Sequence, residues 1–91
     1  MDTERIRSLL EEAERILDPV RDKVSAAYGD IEYLVNNPGR IEPGVGFEIY
    51  ISGLNRNLRM YSQTLPEAGK AREALTDILN ELKEYNQLTK E

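Results

Sequence analysis

Val45-Gly46-Phe47-Glu48-Ile49-Tyr50-Ile51 can be read with two periods, and the choice decides the fold class. Val45, Phe47, Ile49 and Ile51 recur at every second position, and valine, isoleucine and aromatic residues favour strands. Ile31-Glu32-Tyr33-Leu34-Val35 would supply the partner, giving an α+β chain with a two-stranded ribbon at 31–35 and 45–51. Downstream, however, Phe47, Ile51, Leu54, Leu58, Tyr61, Leu65 and Ala68 follow steps of four and three, the spacing of one helical face. That phase continues unbroken out of the ambiguous stretch, so the stretch is read as helix and the chain as all-α.

The rhythm holds to either side. Beyond Ala68 the stripe shifts one position and continues through Ala71, Leu75, Ile78, Leu82 and Tyr85. Upstream, Ile6, Leu10, Ala13, Leu17, Val20, Val24, Ala27, Ile31 and Leu34 keep the same steps, and Leu9, Ile16, Tyr28 and Val35 widen the face. Between the halves, Asn36-Asn37-Pro38-Gly39 and Pro43-Gly44-Val45-Gly46 mark a tip loop of about ten residues, long for a link between helices.

Two prolines interrupt the halves. Asp18-Pro19 offers an N-cap and a first-turn proline, and Thr64-Leu65-Pro66-Glu67 has the spacing of a capping box. The apolar phase crosses Pro19 intact, with no residue spare for a reversing loop. Both prolines are therefore read as kinks, and residues 3–35 as one bent helical arm, ~50 Å long if straightened. Gly29-Asp30 is a further weak point where that arm could stop and restart. The expected architecture is a single domain, 1–91, built as a kinked helical hairpin. Two helices leave a wide apolar stripe half exposed, so a homodimer enclosing it as a helical bundle is expected.

Composition narrows the chemistry. With no histidine and no cysteine, the usual base, nucleophile and soft metal ligands are gone, so an enzyme is not expected. Glu14 and Asp18 stand four apart, but no third carboxylate or ligand loop is specified, and neither a metal nor a cofactor is assigned. Gly44-Val45-Gly46 lacks the lysine of a nucleotide loop, and Glu48 would repel an anion there. The net charge of −5 disfavours general binding to nucleic acid. No apolar run suits a leader or a membrane span, and without cysteine a cytoplasmic setting is expected.

Charge is unevenly spread. Residues 1–39 hold nine acids and five bases, whereas 40–73 hold four acids and five bases. Ser52 to Gln63 contains no acid at all. On a helix, Asn55, Arg56, Arg59, Ser62 and Gln63 would adjoin one another, and Lys70 would extend them into a ligand- or partner-binding patch. The plainer reading pairs Arg56 and Arg59 with acids of a neighbouring helix or a second subunit. Tyr28, Tyr50, Tyr61 and Tyr85 sit on or beside the stripes and are expected to pack, with hydroxyls at the rim. The expected function is a non-enzymatic protein–protein interaction module, an adaptor, inhibitor or regulator acting as a homo-oligomer. The alternative is a binder of a small anionic ligand, a nucleotide or another phosphorylated molecule.

Overall fold

The computed structural model describes residues 3–89. Four helices follow one another: α1 (Thr3–Leu17), α2 (Ser25–Asn36), α3 (Val45–Tyr61) and α4 (Pro66–Thr89). Short 3-10 turns lie at Asp18–Val20 and Pro38–Arg40. Helical residues make up 85%, with no strand among the described residues, so the chain is an all-α bundle. The ribbon alternative is excluded, since Ile31 to Val35 lie within α2 and Val45 to Ile51 open α3.

The stripes read from the sequence are the core. Ile6, Leu10, Ala13 and Leu17 of α1, Ala27, Ile31 and Leu34 of α2, and Ile51, Leu54 and Leu58 of α3 are buried. So are Ala68, Ala71, Leu75, Ile78 and Leu82 of α4. The alanines of α4 allow close approach of its neighbours, and this 24-residue helix packs extensively on both α1 and α3. Arg5 Nε lies 2.9 Å from Glu81 Oε1 across the α1–α4 seam. Ile41 anchors the tip loop by burying its side chain.

The two proline sites are reversals rather than kinks. Tyr28 donates its hydroxyl proton to Asp18 Oδ1 at 3.1 Å, although ten residues separate them. A continuous helix would hold their backbones ~15 Å apart along its axis. α1 and α2 therefore lie antiparallel. The turn is built from residues that sequence periodicity had assigned to helix. Pro19 has no N–H to continue the α1 ladder, Asp18–Val20 tighten into a 3-10 turn, and Val24 leaves helical geometry at φ −127°, ψ 39°. Val24 is buried and Val20 half-buried, so the turn caps the core with the phase a helix would have shown. Asp18 caps no helix with its side chain; its carboxylate accepts from Arg21 at 2.9 Å and from Tyr28. At the other reversal the Tyr61 carbonyl accepts from the amides of Thr64 and Leu65, and Pro66 opens α4. The Thr64 hydroxyl also turns back to that carbonyl. Gly29-Asp30 causes no break, and α2 runs through both.

These reversals change the burial argument. One chain supplies four helices, so the wide stripe that called for a second subunit is covered internally. The helices run up, down, up and down, but the bundle does not close evenly. α2 and α3 scarcely touch, and the molecule measures 42 × 25 × 17 Å, wider than it is thick.

Antiparallel α1 and α2 gather acids. Burial pushes the Glu14 carboxyl above the usual carboxylate range, and the charges of Glu32, Asp18 and Glu11 push it further. The folded protein thus binds this proton more tightly than the unfolded chain does. Stability contributed here is present at low pH and is lost as pH rises through the carboxylate range. Glu14→Gln should therefore stabilise at pH 7 by up to ~0.5 kcal/mol, the scale of one like-charge helix pair. The gain should vanish near pH ~3, where the carboxyl is protonated anyway. Thermal melts of both proteins at the two pH values check this, and a loss at pH 7 would show Glu14 stabilised as an anion.

Candidate functional site

The open seam between α2 and α3 forms a cleft. At its upper end, Tyr33 and Leu34 of α2 face Gly46, Phe47 and Tyr50 of α3. Arg40, Glu42 and Gly44 of the connecting loop close that end, and the space holds about 510 Å³. The seam continues downward past Tyr50 into a smaller hollow of about 270 Å³ between Ala26, Ala27 and Asp30 of α2 and Ile49, Gly53, Leu54 and Asn57 of α3. Ala26, Ala27 and Gly53 leave room in this hollow, and Tyr50 meets Asp30 across it. Phe47 and Tyr50 stack with ring centroids 6.4 Å apart. Burial pushes the Tyr50 phenol above its ordinary range, and the Asp30 carboxylate across the seam adds to the shift.

The cleft is bordered by exposed apolar surface. Tyr33, Val45, Ile49 and Tyr50 are among the few large hydrophobic residues left in solvent, and Ile49 is 67% exposed. Beside them the cleft offers one guanidinium, from Arg40, with the carboxylates of Asp30 and Glu42. Among the described residues, no group of three carboxylates is placed to hold a metal ion. The result is an apolar trough with a few polar margins.

The patch expected at Asn55, Arg56, Arg59 and Lys70 divides. Asn55 is not on the exposed face; at 9% exposure it points into the α3–α4 seam. Its carbonyl oxygen accepts from Arg72 Nε at 2.7 Å, and its amide donates to Thr76 Oγ1 at 3.2 Å. Asn86 makes the corresponding tie near the other end of that seam, donating to Glu48 Oε1 at 2.8 Å. Arg56, Arg59 and Lys70 are exposed and take part in none of the ion pairs among the described residues. The neighbouring acids of this chain therefore leave these cations to solvent. Ser62 turns its hydroxyl to the Arg59 carbonyl at 2.8 Å and finishes α3.

Sequence periodicity missed the cleft. Its only sequence signal was the period-two ambiguity at 45–51. Val45 and Ile49 lie off the buried face, which is why that stretch failed to look cleanly helical. Glu48 occupies the first turn of α3, as the reading against an anion site at Gly44-Val45-Gly46 required. No helix among the described residues is long and apolar enough to cross a membrane. Compared with known proteins, the chain matches no family model, no curated protein and no solved structure.

Proposed function

We propose that the chain is a non-enzymatic protein–protein interaction module, an adaptor, inhibitor or regulator that acts in the cytoplasm as a homo-oligomer. The observation that supports this reading is the concentration of exposed Tyr33, Val45, Ile49 and Tyr50 around the open α2–α3 seam. Such surface is costly to leave wet and is characteristic of docking faces. An amphipathic helix from a partner would fill the trough, with an apolar anchor between Tyr33, Phe47 and Tyr50. A photo-crosslinking residue at Tyr33 tests this in the native host, with one at Glu12 as the exposed control. Tyr33 should capture a discrete protein that binds the purified chain, and Tyr50→Ala should weaken that binding about tenfold. Equal capture at both positions, or unchanged affinity, would defeat the reading.

One observation favours a second reading, a site for a small anionic ligand. Arg56, Arg59 and Lys70 are exposed cations outside any ion pair among the described residues. Asn55 no longer belongs to such a site, because its amide is engaged within the fold. If the patch binds phosphate, a nucleotide at about 100 times its Kd raises stability by ~2.7 kcal/mol. Arg56→Ala with Arg59→Ala should then erase that shift and leave the unliganded melting temperature unchanged. Loss of assembly with a lowered melting temperature would instead place these arginines against a second subunit.

A further inference from the structure

We propose that α2 opens as a unit, detaching from a core of α1, α3 and α4 that stays folded, and that it is thereby the movable wall of the cleft. α2 packs on α1 and scarcely touches α3, whereas α4 packs extensively on both α1 and α3. It buries Ala27, Ile31 and Leu34, and the first of these is only an alanine. The connections on either side of it, residues 18–24 and 37–44, contain no α-helix, so it can swing away without unwinding a neighbour.

The backbone of α2 adds little to hold it. The helix has 12 residues, a length that is marginal in water unless packing supports it. Val24 stands at its N-cap with no side-chain hydrogen bond to the first turn. Among the described residues, α2 is the one helix with neither an acid in its first turn nor a base in its last, so no charge at its ends offsets its dipole. Gly29 lies in its interior, where glycine weakens a helix. Its polar ties lie at exposed positions. Asn37 donates to the Tyr33 carbonyl at 2.8 Å, Tyr28 donates to Asp18 at 3.1 Å, and Asp30 accepts from Tyr50. Against these ties, Glu32 of α2 stands near Glu14 of α1, and neither takes part in an ion pair among the described residues. Opening uncovers Ile31 and Leu34 and carries Tyr33 and Leu34 away from Phe47 and Tyr50. A molecule held between the two walls would keep α2 closed. The opening itself belongs to the chain alone, whatever the cleft takes.

Native-state hydrogen exchange of the full chain, read residue by residue by NMR, tests this. Amides of residues 29–36 should share one opening, about tenfold or more as frequent as that of residues 75–82 in α4. Guanidinium at low concentration should promote it less steeply than global unfolding, because less surface becomes exposed. Gly29→Ala should make the α2 opening about threefold rarer, since a Cβ there meets nothing within 4 Å and alanine favours the helix. Asn55→Ala, in the α3–α4 seam, should speed exchange in α4 about tenfold and leave that in α2 unchanged. Equal protection in α2 and α4 overturns the proposal, because the chain then opens only as a whole. So does an Asn55→Ala effect of the same size in both helices. Exchange at unrelated rates along α2, with no common response to guanidinium, is fraying from its ends and overturns it too.

Discussion

Leu17→Ala and Leu58→Ala should each destabilise the fold by ~2–4 kcal/mol, measured by urea or thermal unfolding. Both side chains are fully buried. Leu17 is the last residue of α1, where the chain turns toward α2, and Leu58 lies in the half of α3 that approaches the second reversal. Each truncation removes three carbons from a close-packed interior and leaves a cavity that the helices cannot fill without shifting. A domain of this size has ~5–14 kcal/mol of total stability, so either change consumes a large share of it. Leu17→Ala also tests the reversal at Pro19. In a bent arm paired with a second subunit, folding would require the partner and the chain would unfold on dilution, whereas in a bundle closed within one chain the diluted monomer should stay folded. A loss under ~0.5 kcal/mol at either position would show that its stripe faces solvent.

The second large effect belongs to Asn55. Asn55→Ala should cost ~1–3 kcal/mol and should leave any binding at Arg56 and Arg59 unchanged. The asparagine sits between two partners on α4, accepting from Arg72 and donating to Thr76. Its removal takes the acceptor from the half-buried Arg72 Nε, and an unmet donor on a charged group is the expensive kind. Asn55→Leu should be no better tolerated, because it restores volume without restoring an acceptor. Adding Arg72→Met to Asn55→Leu should recover part of the loss, since both polar partners are then replaced together. Thermal unfolding of the two single variants and the pair forms a cycle that checks this. A null result for Asn55→Ala would mean that Arg72 finds water as readily as the amide.

The two prolines show where periodicity stops being informative. Steps of four and three record which residues face a core, not whether the backbone between them is continuous. Val20 and Val24 kept the phase because the 3-10 turn and the bend after it drop both side chains onto the end of the bundle. A helix through Pro19 and a reversal at Pro19 therefore share one apolar pattern. What separates them is a long-range fact, the closeness of Tyr28 to Asp18, and local sequence carries no trace of it. Asn55 illustrates the same limit on the surface patch. A polar residue one position from Arg56 looked exposed by composition, yet on α3 it lies beside Ile51 and Leu58 and faces α4.

Sequence alone determined the class of structure and its core. Amphipathic spacing, turn residues and the absence of histidine and cysteine depend only on residue chemistry and on the 3.6-residue turn of the helix. They select two long apolar stripes joined by a tip loop, mark the two prolines that interrupt them, and remove the usual catalytic side chains. Tertiary structure decided everything that depends on how those stripes meet. It turned the two prolines into reversals, so that one chain encloses its own core. It drew Asn55 into the α3–α4 seam and left Arg56 and Arg59 outside. It also left the seam between α2 and α3 open, while α4 packs against both α1 and α3. The cleft arises from how these helices meet, which no single helix encodes.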